Sequence, residues 1–143
     1  MNKFNIDLEK ELNKELKQSN IKGLKAGFIK ESKYSNGISV PKVAYIHNYG
    51  LGVPTRPFFN KAIINNAKKW DSFLENTLKQ NNVNFSNILE KLGNIIVGDI
   101  QTSITELKDP PNKESTIKKK KSSNPLIDTG LMRKSVSYQV LKG

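Results

Sequence analysis

Pro125-Leu126-Ile127-Asp128-Thr129-Gly130-Leu131-Met132-Arg133-Lys134-Ser135-Val136 is the stretch on which the reading of the fold turns. It opens as an extended apolar entry, turns at Asp128-Thr129-Gly130, and continues into a basic turn from Leu131 to Lys134. Val136, Tyr138 and Val140 then recur with the period of a strand, which predicts a C-terminal strand over about residues 134–141. The side-chain oxygens of Asp128 and Thr129 suit binding to nearby backbone amides, and Gly130 tolerates a positive φ. Nothing in the stretch is a nucleophile or a metal cage. It reads as a structural joint that aims the last strand.

Working outward, this joint answers a second stretch in mid-chain, Val43-Ala44-Tyr45-Ile46-His47-Asn48-Tyr49-Gly50, followed by Val53-Pro54-Thr55-Arg56-Pro57-Phe58-Phe59. Val43, Ile46 and Tyr49 would share a helical face, whereas Val43, Tyr45 and His47 would share a strand face. One or two helical turns ended by a Gly50 C-cap are the preferred reading. Pro57 suits the first position of a helix, where its missing amide costs nothing. That helix is expected to run to about Lys79 and to bury Phe58, Ala62, Ala67, Trp70, Phe73, Leu74 and Leu78. Arginine and aromatics are enriched at interface hot spots, so Arg56-Pro57-Phe58-Phe59 is a candidate subunit interface. The plainer alternative is that both phenylalanines are core; one of each is expected. His47 reads as a hydrogen-bonded packing residue rather than a catalyst, because no acid partner is evident nearby.

The flanks complete an α+β arrangement. Leu8, Leu12 and Leu16, four residues apart among Glu and Lys, predict an amphipathic N-terminal helix with a narrow stripe that must dock to be stable. Leu24, Ala26 and Phe28 alternate within Gly23–Lys30 as in a strand. Ser35-Asn36-Gly37 is a turn signal, with Ile38 and Val40 as a short partner strand stopped by Pro41, giving a hairpin over about residues 22–41. After a polar break at Asn81–Asn84, Ser86 is a candidate cap for a second long helix. Its stripe is Ile88, Leu92, Ile95, Ile96, Ile100, Ile104 and Leu107. Gly93 and Gly98 weaken that helix by about 1 kcal/mol each relative to alanine, which close helix–helix approach would explain. The expected result is a small, mostly antiparallel sheet of the hairpin and the last strand, packed against two long helices.

At 143 residues the chain fits one domain, residues 1–143, and its 36% hydrophobic content implies a modest core or one completed by neighbouring subunits. Residues 109–125 form a polar arm, introduced by Pro110-Pro111 and carrying Lys118, Lys119, Lys120 and Lys121. Such an arm is expected at the surface and mobile until bound. No apolar run approaches the ~20 residues of a membrane span, and no secretory leader is evident. The lack of cysteine removes thiolate chemistry, and a single histidine excludes a multi-histidine metal site. With 24 Lys and Arg against 13 Asp and Glu, the net charge is +11. That excess suits an acidic partner, DNA or protein, or simply solubility in a lysine-rich composition. The four lysines are candidate phosphate or acidic-partner contacts, although no aromatic is interleaved among them to stack bases. No phosphate-cradling loop, Gly-x-Ser-x-Gly or His-Glu-x-x-His is present. No enzyme activity, catalytic residue, cofactor or metal is expected.

The two boxes in this order, "IH-YG…P-RPF" and then "PLIDTG-L--S", resemble the tail-completion and neck (head–tail connector) proteins of tailed bacteriophages and tail-like particles. The resemblance covers about residues 43–60 and 109–141. It implies a structural virion protein of the neck or upper tail, assembled in the bacterial cytoplasm as a closed ring, six copies favoured and twelve possible. A head-side connector or adaptor ring would lie on one side and tail-tube or tail-terminator proteins on the other, with nonspecific contact to passing DNA allowed for and no membrane. On this resemblance Arg56, Pro57, Phe58, Phe59, Leu131, Met132 and Arg133 are subunit-interface candidates, and residues 109–125 form a loop reaching over neighbours. The alternative is a small basic protein that binds nucleic acid nonspecifically.

Overall fold

Leu8, Leu12 and Leu16 project from one side of helix α1 (Lys3–Gln18) and lie half-buried against the main body. This comes from a computed structural model, which describes residues 3–80, 83–106 and 130–143, with side chains from residue 8 onward. After a short turn the chain enters strand β1 (Ile21–Gly27). Helices α2 (Val40–Tyr49), α3 (Phe58–Leu78) and α4 (Phe85–Glu106) follow, then a single helical turn, α5 (Leu131–Lys134), and strand β2 (Ser137–Lys142). The fold is α+β, with a two-stranded antiparallel sheet, two long helices and an amphipathic N-terminal helix.

β1 and β2 pair with Gly27 opposite Ser137 and Leu24 opposite Val140, interrupted by a bulge between Ile21 and Gly23. α4 lies against both strands, and α3 packs on α4. The long helices therefore do not share the sheet equally; α3 reaches it through the Phe59 ring, which sits over Gly27.

The expected hairpin over residues 22–41 forms only in part. Its turn is present, with Gly37 at φ 85° and Asn36 Oδ1 accepting from the Ile38 amide at 3.0 Å. The second strand is reduced to one bridge, Lys33 with Ser39. Ser39-Val40-Pro41 begins α2 instead. The Ser39 hydroxyl accepts from the Lys42 amide, and the proline occupies the first turn, both favoured at a helix start. The early start also moves the buried face of α2 to Val40, Ala44 and Asn48 rather than Val43, Ile46 and Tyr49. Gly50 ends the helix in the left-handed conformation at φ 69°, as its sequence position predicts.

Two further details differ from expectation. α4 is capped by Asn84, whose Oδ1 accepts from the Asn87 amide at 3.1 Å, and not by Ser86. Gly93 accommodates no helix; the ring of Tyr138 on β2 packs on it, and an added Cβ would lie 2.5 Å from the tyrosine Cγ. Gly98 has open space beside it.

Apolar burial falls into two adjoining clusters. One gathers Val40, Ala44, Phe58, Ala62, Ile100, Ile104, Met132 and Val136. The other gathers Ile21, Leu74, Phe85, Ile88, Leu89 and Leu92, with the α1 leucines and Trp70 against it. Phe58, Ile100 and Ile104 are fully enclosed, and each stabilises the fold by about 1.5–3 kcal/mol through area removed from water. Ile96 touches both clusters, so α4 is the common wall.

Candidate functional site

The two boxes singled out in the sequence meet in space. α2, the following loop and the start of α3 carry the first; Gly130, α5 and Val136 carry the described part of the second. Met132 and Val136 enter the same cluster as Val40, Ala44 and Phe58. The Ser32 hydroxyl donates to Ser135 Oγ at 2.9 Å, and Ser135 Oγ donates to the Leu131 carbonyl at 2.6 Å. Gln101 on α4 donates to the Arg133 carbonyl at 3.1 Å. Gly130 supplies the left-handed turn, φ 76°, that opens α5. Asp128, Thr129 and Lys118 to Lys121 lie outside the described residues.

The loop between α2 and α3 is held from within. The Arg56 amide donates to the His47 carbonyl at 2.7 Å, and Arg56 Nη1 contacts His47 Nδ1 at 3.1 Å. A guanidinium only donates, so Nδ1 is assigned as the acceptor at this contact. Burial lowers the Arg56 pKa from the ordinary arginine value. Asn48, also buried, is a residue the sequence reading missed. Its Oδ1 accepts from the Phe59 and Asn60 amides at 3.1 and 3.3 Å. Pro57 offers no side-chain cap, so α3 is capped by a side chain from α2. An Asn one residue before a tyrosine–glycine stop gives no sequence signal of this, because its target lies eleven residues away and is set by the turn between.

Burial sorts the interface candidates. Arg56 is 7% exposed, Phe58 1%, and Met132 is buried as well. These three side chains are turned into their own fold. Pro57, Phe59 and Leu131 are half-buried, and Arg133 is exposed. Phe58 is core, and Phe59 packs partly buried at its margin.

The apolar surface lies partly elsewhere. Tyr45 and Tyr49 on the outer side of α2 are 59% and 52% exposed and pack ring to ring at 4.8 Å. Leu51, Ile38, Ile63 and Ile64 are also exposed, Ile64 to 76%. The tyrosines border a cleft of about 490 Å³ between the end of β1 and α2, floored by Ala26, Phe28, Ala44, Phe58 and Phe59. On the far side of α4, Asp99 accepts from Lys69 Nζ and Trp70 Nε1, both at 2.7 Å, binding α3 to α4. Among the described residues no three His, Cys, Asp or Glu side chains cluster to hold a metal ion, and no helix is long and apolar enough to cross a membrane.

No family model, curated protein or solved structure matches this chain.

Proposed function

We propose that this chain is a structural subunit of a tailed-phage particle or tail-like element, forming a ring at the head–tail junction or upper tail end and joining connector to tail tube. The observation that carries the reading is the convergence of the two boxes on one corner of the fold, where α2, the start of α3 and α5 share a core. Exposed apolar side chains on and beside these elements support it, since such side chains together on a small chain favour association. Pro57, Phe59, Leu131 and Arg133 are the assigned subunit contacts, while Arg56, Phe58 and Met132 brace the corner behind them. The mechanism is adaptor assembly: a closed ring presents one face to the connector and the other to the tail.

Mass photometry of the chain alone and mixed with connector and tail-tube proteins tests this, together with electron microscopy of particles made without it. The expected outcome is a discrete ring, six copies favoured, and separated heads and tails when the chain is missing. Particles that still join capsid to tail and infect normally would overturn it.

The net charge of +11 favours one second reading, nonspecific nucleic-acid binding. It requires micromolar or tighter DNA affinity at physiological salt that falls steeply as salt rises, which a salt titration decides.

A further inference from the structure

The cleft beside β1 has a second property, independent of where in a particle the chain sits. Lys25, Ala26 and Gly27 of β1 line it, followed by Phe28 and Ile29 just beyond the strand's end. Successive strand residues face opposite sides, so a run of neighbours is presented together along a strand's edge rather than its face. β2 occupies the other edge of β1, and among the described residues no strand pairs with this one. An open edge offers unpaired N–H and C=O groups to an added strand. Beyond it the cleft is floored by aromatic and small apolar side chains and walled by Tyr45 and Tyr49. Its volume of about 490 Å³ suits several side chains of an incoming segment.

We propose that this cleft is a docking site for an extended, acidic segment of a partner protein, which adds as a strand to the free edge of β1 and seats an aromatic or aliphatic side chain against Phe59 and the two tyrosines. Charge selects the occupant. Between Ile21 and Lys61, the span that builds the whole cleft, the only acid is Glu31, against six lysines and Arg56. Glu31 itself lies 3.9 Å from Lys33, whereas Lys25 lines the cleft and Lys42 and Lys61 are exposed on its two helices. A second copy of this chain does not supply such a segment. Among the described residues its acids other than Glu31 lie on the helices α1, α3 and α4, and residues 109–125 carry five lysines against Asp109 and Glu114. Single-stranded nucleic acid fits less well. A free strand edge is matched by a peptide backbone and not by a sugar–phosphate chain.

The test uses the full chain and three fluorescent probes: an octapeptide alternating glutamate with valine and phenylalanine, the same peptide with lysine for glutamate, and a thymidine octanucleotide. Anisotropy gives affinity and amide NMR shifts give location. The expected result is that the acidic peptide binds at least about tenfold tighter than the lysine peptide, shifting amides of Lys25–Ile29 and Tyr45–Tyr49. Tyr45→Ser with Tyr49→Ser is expected to weaken it several-fold without changing the circular dichroism or melting temperature. Lys25→Glu is expected to narrow the preference between the peptides. The proposal is overturned if the acidic peptide does not bind at ~1 mM, if both peptides bind alike, or if the shifts fall elsewhere. Tighter binding of the oligonucleotide at the same amides, or self-association through them, would equally overturn it.

Discussion

Asn48 shows how much one polar side chain can hold in place. Its Oδ1 meets two amides of the first turn of α3, groups with no partner inside their own helix. Removing a buried acceptor costs its lost bonds and leaves the donors unsatisfied, about 1–3 kcal/mol. Asn48→Ala should lower stability by that amount in urea unfolding, while Asn48→Asp, which keeps an acceptor, should lose less. A loss from Asn48→Ala no greater than about 0.5 kcal/mol would contradict the capping role. Gly50 is the other demanding position nearby: its left-handed φ suits glycine, and Thr55 fills the space a Cβ would take. The glycine was legible in the sequence because its φ preference is intrinsic. The asparagine was not, because its partners come from another element.

Between elements, the tie of β2 to α4 is both packed and polar. Tyr138 lays its ring on Gly93, and its hydroxyl donates to a carboxylate oxygen of Glu90. That hydrogen bond, aided by desolvation and by the negative charge of Glu90, raises the Tyr138 pKa above the ordinary tyrosine value of 10.0. The sign follows directly. A raised pKa favours the neutral phenol in the folded state, so the stabilisation is complete below the ordinary tyrosine pKa and is lost as pH rises through the folded value. An absorbance titration should show a tyrosine that ionises above the ordinary value, and Glu90→Ala should lower its pKa. An unchanged titration curve on Glu90→Ala would show that the bond does not persist in solution. Of the two glycines in α4, only Gly93 meets a close neighbour, and that neighbour, a strand tyrosine and not a helix, depended on tertiary pairing.

Across the whole molecule, stability is unevenly distributed. α4 contributes to both apolar clusters, and Ile100 and Ile104 are sealed. α1 is attached through half-buried leucines on one margin and, among the described elements, touches α3 and β1. Local opening needs less free energy where fewer apolar contacts are broken. Hydrogen exchange should therefore find the amides of α1 exchanging well ahead of those around Ile100 and Ile104. Protection as strong in α1 as in central α4 would mean that α1 belongs to the same cooperative unit.

The amino-acid sequence alone determined the features governed by short-range chemistry. These are the amphipathic stripes of α1, α3 and α4, the glycine stop of α2, the turn at Asn36-Gly37 and the alternation of the last strand. Periodicity and backbone preference act within a few residues, so they are legible without the fold. Only the tertiary structure decided that Ser39-Val40-Pro41 opens a helix rather than closing a hairpin, that Arg56, Phe58 and Met132 turn inward, and that two exposed tyrosines border a cleft at the end of β1. Those outcomes depend on which distant side chains compete for the same buried space, and that competition is resolved only when the whole core packs at once.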